Sequence, residues 1–393
     1  MPSTATLPSP PRTRTPGWPA VLAVTLGIFT IVTTEILPVG LLTSIGSSFT
    51  LSDGTAGLMM TMPGYLAAVA APTLRVATAR ADRRLMLCAC MLLLAVANVL
   101  AASAPAFWAM LLSRVLVGVV IGGFWSLAAG LAERLVAPPR VPRATAVIFS
   151  SVPLGSVLGV PLGTLIGDAT SWRVSFAVMA ALSFALVVAL AVLLPPLPVS
   201  QVTRLDVLLG AFRTRGTWLA LALTALIVLA HFGTYTYVTP FLQDVTHVSP
   251  TAFLLLYGVA GLAGNFVAGQ TITRHPTLTS AVAGTLIASA TLALPALGTS
   301  PLGAAALLIV WGAGYGAIPV CSQTWFSTAL PSEAASVLFT ASFQATFSTG
   351  ALVGGLIVDR TSPSTVMVWG GATATAMVLL LITATTSPRK PSR

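Results

Sequence analysis

Two ionisable residues stand inside apolar stretches of this chain, and their chemistry gives the first hypothesis. Glu35 lies within an apolar run from Trp18 to Leu42, and Arg114 lies within another that starts at Phe107. A charge at membrane depth costs at least ~2.5 to 3.5 kcal/mol, so it rarely stays there without a function. An acid and a base that meet inside a bilayer favour proton binding and release, which is the chemistry of ion coupling.

The composition indicates that these residues lie in a membrane. Hydrophobic residues make up 56% of the chain and charged residues only 7%, whereas about 25% charged is typical of soluble domains. Apolar stretches recur along the whole chain, each near the ~20 residues that a helix needs to cross the hydrocarbon core. We therefore predict an all-α integral membrane protein with twelve spans, at 18–42, 55–75, 85–104, 107–133, 143–167, 173–195, 217–241, 250–272, 277–298, 301–327, 333–358 and 364–385.

The basic residues predict the orientation of these spans. A formal net charge of +10 would suggest a nucleic-acid partner for a soluble protein. Here, if the N-terminus is cytoplasmic, sixteen of the 19 Lys and Arg residues fall on the cytoplasmic side and only Arg173 and Arg360 on the other. This distribution satisfies the positive-inside rule. We expect two cytoplasmic termini, a lipid bilayer as partner and no nucleic acid.

The predicted depths of Glu35 and Arg114 in the membrane are also consistent with this topology. Span 1 runs outward and Glu35 lies seven residues before its predicted end, while span 4 runs inward and Arg114 lies seven residues after its start. Both residues should therefore lie about 10 Å below the outer boundary. A proton-coupling pair is the functional interpretation, in which changes in hydration alter how readily Glu35 binds a proton. A static ion pair that ties two helices together and a direct contact with substrate are the alternatives.

The longest predicted cytoplasmic connection divides the spans into six and six. The predicted organisation is a disordered N-terminus, an N-terminal six-helix bundle, a linker, a C-terminal six-helix bundle and a cytoplasmic tail, at 1–17, 18–195, 196–216, 217–385 and 386–393. The halves share a pattern, since Gly159-x-x-x-Gly163 and Gly350-x-x-x-Gly354 are each followed by an aspartate nine residues after the first glycine. Repeated six-helix halves around a central site are typical of secondary transporters.

The halves differ where the charges lie. The matched pairs are Glu35 and Tyr237, each three residues before a proline, and Arg114 and Leu308, each four residues before a glycine. Intramembrane charge is thus concentrated in the N-terminal half. We expect ion coupling there, and we expect the C-terminal half to supply mainly the cavity wall.

Several motifs resemble those of the major facilitator superfamily. The segments that carry the resemblance are Glu35-Ile-Leu-Pro38, the loop Asp82-Arg83-Arg84, and Arg114-x-x-x-Gly118 leading into Gly122-Gly123-Phe124-Trp125. Within the superfamily they are similar to the bacterial twelve-helix drug and sugar efflux antiporters. The branch that exports purine ribonucleosides is most similar to the stretch from Gly122 to Ile148, with Pro138-Pro139-Arg140-x-Pro142, and to Trp311-Gly followed by Ile318-Pro319-Val320. The resemblance implies a major facilitator fold, exchange of a solute for protons by alternating access, and a place in the bacterial inner membrane.

The resemblance also implies roles for one loop and for span 5. Asp82, Arg83 and Arg84 would form a conformational latch that stabilises the outward-facing state, unless they serve only as topology determinants. Gly155, Gly159, Pro161 and Gly163 resemble the antiporter motif, with the proline shifted by one residue. These small residues either allow close helix packing or seal the protein against a proton leak.

Polar and aromatic residues at mid-span are the candidate substrate ligands. His231 either contacts substrate, relays protons, or is a neutral histidine bonded to the backbone. The other candidates are Tyr65, Phe124, Trp125, Tyr235, Tyr237, Asn265, Gln323, Trp325 and Gln344. Aromatic faces with a few amides suit a flat heteroaromatic solute, although ordinary helix packing accounts for each residue equally well.

The sequence has no nucleotide-binding Gly-Lys-Ser/Thr loop, no metal-ligand spacing and no Ser/His/Asp set, so we expect neither an ATP-driven pump nor an enzyme. We predict a monomeric exporter of a small organic solute, driven by the proton gradient without another cofactor. Purine ribonucleosides are the preferred substrates, with multidrug, chloramphenicol-like antibiotic or sugar efflux as alternatives. An importer, a passive facilitator and a transporter-like sensor remain open.

Overall fold

The computed structural model describes residues 17–77, 81–128, 131–197, 212, 214–330 and 332–386, without the side chains of residues 72, 75, 76, 125–128 and 332–334. Within these ranges every regular element is helical, which confirms the all-α prediction. The predicted N-terminal segment 1–17 except its last residue, residues 198–211 and 213 of the predicted linker, and the tail beyond residue 386 lie outside the described residues.

Fifteen α-helices make up the described chain. They are α1 Trp18–Ser48, α2 Asp53–Ala56, α3 Leu58–Ala77, α4 Arg83–Ala102, α5 Phe107–Ala128, α6 Leu131–Leu135, α7 Val141–Ala169, α8 Trp172–Leu193, α9 Arg215–Tyr235, α10 Val238–Asp244, α11 Pro250–Thr271, α12 Pro276–Leu297, α13 Pro301–Ala329, α14 Ser332–Arg360 and α15 Pro363–Thr386. Eleven spans in this part of the chain are long and apolar enough to cross a membrane. The remaining predicted span, 55–75, is the 20-residue helix α3.

Local sequence signals set where several helices begin. Proline occupies the first turn of α11, α12 and α13, where its missing amide hydrogen costs nothing and its fixed φ suits a helix. The side chains of Asp82, Thr214 and Ser300 accept a backbone hydrogen bond at the starts of α4, α9 and α13. Such caps satisfy amides that a helix leaves unpaired.

The helices pack in the same pairs in both halves. In the N-terminal half, α1 packs on α7, α3 on α5, and α4 on α8. In the C-terminal half, α9 packs on α14, α11 on α13, and α12 on α15. These are the pairs 1–5, 2–4 and 3–6 of each six-span set, so the two halves are repeats of one arrangement. We call them the N bundle and the C bundle.

The bundles meet through α3 on α14 and through α7 on α11. Six hydrogen bonds join described residues of the two bundles; the pairs are Ser52–Asp359, Gly54–Asp359, Thr251–Asp168, Thr239–Val39, Tyr65–Thr349 and Gln344–Glu35. They extend from the end of the molecule at which α2 lies, here called the α2 end, to about mid-height. The deepest, at Gln344, lies 16 residues or about 24 Å along α14 from Arg360. In the described chain, no hydrogen bond joins the bundles nearer the opposite end.

The glycines of span 5 face α1 of their own bundle. A Cβ atom built on Gly155 would lie 3.1 Å from Val32, and one on Gly159 would lie 2.5 Å from the Thr33 hydroxyl. Gly163 is in similarly close contact with Leu37. The stripe thus brings the backbone of α7 against the segment of α1 just before and after Glu35, as small residues do in membrane helix pairs.

We predict that Gly159→Ala destabilises the protein, because the added methyl group collides with Thr33 across the α1–α7 contact. Overpacking of this kind lowers the free energy of unfolding by about 1–3 kcal/mol. The measurement is denaturant unfolding of the purified protein in detergent. Gly269→Ala is the matched control, since a Cβ there meets nothing within 4 Å; equal losses for both variants would contradict the prediction.

Candidate functional site

Pro38 interrupts the hydrogen bonding of α1 without ending the helix. Proline has no amide hydrogen, so the carbonyl of Thr34, four residues earlier, has no donor within α1. Arg114 of α5 supplies one: its Nη2 donates to the carbonyl oxygens of Thr34 at 3.0 Å and Glu35 at 2.9 Å. Its Nε donates to the carbonyl of Met59 in α3 at 3.1 Å. The fully buried Arg114 therefore fastens α1 and α3 to α5 at the level of Glu35.

The matching proline of the C bundle is Pro240, and among the described residues no arginine or lysine donates to the backbone beside it. Span 7, predicted as one helix, breaks at Thr236 and Tyr237 into α9 and α10, just before Pro240. Leu308, which takes the place of Arg114 in the repeat, is buried and apolar and has no donor to offer. We infer that Arg114 keeps span 1 continuous through its proline, whereas span 7 breaks for lack of such a donor.

The Glu35 carboxylate has its hydrogen-bond partner in the opposite bundle. Its Oε1 accepts from Nε2 of Gln344 in α14 at 3.0 Å, and the two side chains are only 8% and 7% exposed. No nitrogen of Arg114 comes within 4.0 Å of the carboxylate oxygens. The acid and the base are thus neighbours through the backbone of α1 and form no direct ion pair in this conformation. Glu35 lies on the seam between the bundles.

Sequence reasoning missed Asn98, which supports the same region from α4. This fully buried amide donates to the hydroxyl of Thr34 at 3.3 Å and to the carbonyl of Leu94 at 3.0 Å. Asn98 therefore bonds to the side chain of Thr34, the residue whose backbone carbonyl accepts from Arg114. The sequence did contain a signal for Asn98, because an amide inside an apolar span is costly unless it faces other polar groups.

His231 lies inside a box of aromatic rings in the C bundle. Trp311 Nε1 donates to His231 Nδ1 at 3.1 Å. This contact requires a neutral imidazole with its hydrogen on Nε2, the nitrogen that faces the Tyr257 hydroxyl at 3.4 Å. The Tyr315 ring stacks on the imidazole with centroids 3.6 Å apart and planes inclined by 11°. Both ring nitrogens of the fully buried His231 are thus engaged within the protein.

Tyr315 is a partly exposed member of this group of aromatic rings. Unlike its neighbours Trp311 and Tyr257, it is half-buried, and it lies within electrostatic range of Glu35. In the described chain its hydroxyl makes no hydrogen bond. Sequence reasoning selected Tyr235, which stacks on Tyr257 at 4.7 Å, but it overlooked Tyr257, Trp311 and Tyr315, although all three are mid-span aromatics of the same kind.

The other predicted ligands are dispersed. Tyr65 bonds Thr349 across the bundle seam at 3.0 Å, and the buried Tyr237 donates to the carbonyl of Ala351 at 2.8 Å. Phe124 is buried in the core of the N bundle, against Gly27. These three side chains therefore contribute to packing or to the seam in this conformation.

The remaining candidates belong to α11, α13 and α5. Asn265 is half-buried and donates to the carbonyl of Gly316 at 3.0 Å, within the C bundle. Gln323 is exposed and Trp325 is half-buried against a hydrophobic cluster of the same bundle. The side chain of Trp125 lies outside the described part of the chain.

The predicted latch loop bonds within the N bundle. Both carboxylate oxygens of Asp82 accept from the amide of Leu197 at 3.1 Å, and one also accepts from the amide of Arg84 at 2.7 Å. The Arg84 guanidinium donates to the carbonyl of Ala191, and the amide of Arg83 donates to the carbonyl of Leu197 at 3.1 Å. The loop therefore ties the start of α4 to the end of α8 here.

Comparison with known families decides the identity of this fold. A profile described as Major Facilitator Superfamily matches residues 23–343. The chain belongs to the major facilitator superfamily. It is therefore a membrane transporter and not an enzyme.

Individual relatives in the superfamily carry different names. The chain is 29% identical over 350 residues to the purine ribonucleoside efflux pump NepI of Salmonella paratyphi C, with 88% of each chain covered. It is 28% identical over 380 residues to NepI of Shigella sonnei, with 95% and 96% covered. It is also 30% identical over 359 residues to the transcription regulatory protein OpdE of Pseudomonas aeruginosa, with 88% of each covered.

Solved structures share the major facilitator architecture. The peptide transporter POT in complex with sulfate gives a TM-score of 0.75 at 12% identity, with 93% of each chain covered. A bacterial homologue of the human lysosomal transporter Spinster, in an inward-facing and unoccupied conformation, gives a TM-score of 0.70 at 18% identity, with 93% and 94% covered. These likenesses support the fold of the superfamily member described here.

We predict that Arg114→Met opens α1 at its proline, because the carbonyl of Thr34 loses its only donor. The measurement is hydrogen–deuterium exchange of peptides that cover residues 31–42, which we expect to exchange at least ~10-fold faster, as a local opening that is ~1.4 kcal/mol easier would give. Leu308→Met is the matched control and should leave exchange of the corresponding span 7 segment unchanged. Protection of α1 at the wild-type level in Arg114→Met would show that the guanidinium does not hold the helix.

We predict that His231 and Trp311 are energetically coupled. His231→Phe keeps an aromatic ring but leaves the Trp311 N–H buried without an acceptor, which costs about 1–3 kcal/mol in unfolding free energy. The double variant His231→Phe/Trp311→Phe removes both polar groups and should lose less than the sum of the single losses, by about 0.5–3 kcal/mol. Unfolding in detergent measures all three variants, and additive losses would argue against the hydrogen bond.

Proposed function

We propose that this transporter exports a small organic solute in exchange for inward-moving protons, by alternating access in the bacterial inner membrane. The observation that carries the proposal is the buried Glu35 carboxylate, whose one hydrogen bond among the described residues runs across the bundle seam to Gln344. A proton-binding group on the moving interface is what coupling of proton flow to a change of access requires.

The positive-inside distribution of arginines supports a cytoplasmic position for both termini, which makes the α2 end extracellular. The closed seam at that end then corresponds to an inward-facing state. When the bundles separate at the α2 end, the Glu35–Gln344 bond has to break, and Glu35 gains access to outside water and protons. Closure restores the hydrogen bond from Gln344, and the proton then leaves towards the inside, to which the site is open in this state.

One carboxylate suffices as the coupling device. A proton that falls through 100 mV releases ~2.3 kcal/mol, which supports about a fifty-fold gradient of a neutral solute. We therefore propose that the proton gradient is the energy source, and that the transporter works as a monomer without a bound cofactor.

The preferred solutes are purine ribonucleosides or related nucleobase-like compounds. The half-buried Tyr315, backed by His231 at 3.6 Å, gives a flat solute a rigid ring for stacking and a hydroxyl for a hydrogen bond. The relatives named as purine ribonucleoside efflux pumps, at 28% and 29% identity, support the same class. Efflux of chloramphenicol-like antibiotics, several drugs or sugars is the alternative for the same machinery.

We predict that Glu35→Gln abolishes proton-driven accumulation while solute exchange persists, because glutamine keeps the hydrogen bond to Gln344 but cannot ionise. The measurement is uptake of labelled inosine by inverted vesicles with an imposed proton gradient. The matched control is Glu133→Gln, the same change at an exposed carboxylate of α6, which should accumulate inosine as the wild type does.

Each other outcome has a distinct meaning. Uphill accumulation by Glu35→Gln would contradict the proton role. Wild-type vesicles that accumulate chloramphenicol but not inosine would keep the mechanism and replace the substrate. Inosine equilibration without accumulation would indicate passive transport, and reversed dependence on the gradient would indicate import. If no solute moves, the regulatory role in the name of the OpdE relative becomes the function to test.

A further inference from the structure

Two aspartates at the α2 end each reach from one bundle to the other. Asp168, at the end of α7, accepts from the hydroxyl of Thr251 in the first turn of α11 at 3.0 Å. Asp359, at the end of α14, accepts from the amide of Gly54 and from the hydroxyl of Ser52, both at 2.8 Å. The first contact runs from the N bundle to the C bundle, and the second runs in the opposite direction.

The two contacts are equivalent under the internal repeat. Each aspartate follows the first glycine of a Gly-x-x-x-Gly pair by nine residues, after Gly159 in one half and Gly350 in the other. The donors also correspond, since α11 is span 8 and Ser52–Gly54 directly precede span 2. The same contact therefore occurs twice, on the two sides of the seam, as a symmetric closure of one end would require.

These bonds are suited to repeated opening. Both aspartates are exposed, so water replaces each lost donor when the bundles separate, and no charge is left buried without a partner. The charged acceptors nevertheless make stronger hydrogen bonds than neutral ones would. Gly54 has space for no side chain, because a Cβ there would lie 2.5 Å from the Asp359 carboxylate.

Closure of this end also brings like charges together. Burial, and then the nearby carboxylates of Asp244 and Asp359, raise the pKa of Asp53 above its usual value. Asp53 lies on α2 of the N bundle and Asp244 on α10 of the C bundle, so their repulsion opposes the closed state. The aspartate hydrogen bonds therefore act against a repulsion that favours opening, and the Asp359 carboxylate itself contributes to that repulsion.

We propose that Asp168 and Asp359 form a paired latch that holds the α2 end closed and sets the balance between the two access states. The latch goes beyond the proposed function, since it needs neither a particular solute nor proton coupling. Loss of one aspartate weakens the closed state from one side of the seam, and loss of both weakens it from the two sides independently.

The test is a distance measurement between the bundles by double electron–electron resonance. Spin labels are placed at two exposed residues of the α2 end: Ser103, which directly follows α4 of the N bundle, and Thr299, which lies just after α12 of the C bundle. The native Cys88, Cys90 and Cys321 are replaced by alanine. The full chain is held in lipid nanodiscs without added solute. In the parent protein we expect a short distance to dominate.

Asp168→Asn and Asp359→Asn should each raise the ratio of long to short distances roughly two- to fivefold, the range for an exposed hydrogen-bonded charge. In the double variant, the ratio of long to short distances should rise by the product of the two single-variant factors. Gly54→Ala, a steric wedge that leaves both aspartates in place, should shift the distances in the same direction as Asp359→Asn.

The control is Asp244→Asn, which removes the same charge at the same end of the molecule but no bond between the bundles. Because it relieves the repulsion with Asp53, it should keep the short distance dominant. A double latch variant with the parent distance distribution would overturn the proposal, as would opening by Asp244→Asn equal to that of the latch variants. Both results are independent of the inosine experiment, so failure of the substrate or proton assignment would leave this test unaffected.

Discussion

The N bundle depends on the burial of one guanidinium group, that of Arg114. Arg114 is fully buried, and it needs several acceptors to remain there as a cation. Pro38 creates one acceptor by leaving the carbonyl of Thr34 without an intrahelical donor, and the carbonyls of Glu35 and Met59 are two more, so that Nε and Nη2 are bonded while Nη1 has no partner among the described residues. Arg114 thus donates to a carbonyl that Pro38 leaves without a donor, and that carbonyl is one of the acceptors that the buried guanidinium needs. This contact fixes the position of Glu35.

Packing inside a bundle and bonding between bundles differ in kind. Within the N bundle, the glycine stripe of α7 brings its backbone against α1, and Arg114 and Asn98 hold the same turn from two other helices. Across the seam, the main described contacts are α3 on α14 and α7 on α11, with smaller ones of α2 on α14 and α1 on α10 and a few side-chain hydrogen bonds. Two rigid bodies joined by a few exchangeable bonds can rock against each other without unfolding either one.

The sequence predicted what depends on length and hydrophobicity and missed what depends on helix rotation. Span lengths placed Glu35 and Arg114 at one depth, and the structure brings them together, although α1 continues six residues past the predicted end at Leu42. The Gln344 partner lies 309 residues away, and small polar and apolar residues are mixed along α14, so no apolar period identifies which of its faces turns to the seam. The sequence paired Arg114 with Leu308, but the break of span 7 was missed because only the structure shows that Arg114 donates to the carbonyl four residues before Pro38.

The order in which the site residues are synthesised has a consequence for membrane insertion. Arg114 follows Glu35 by 79 residues and Gln344 follows it by 309. At roughly 5–20 residues per second, about 4–16 s pass before Arg114 is made and about 15–60 s before Gln344 is made. During that time α1 has to remain in the bilayer with an unpartnered carboxylate, which its mean hydropathy of 2.1 makes possible. The first helix must therefore be a stable membrane anchor by itself before it becomes half of a transport site.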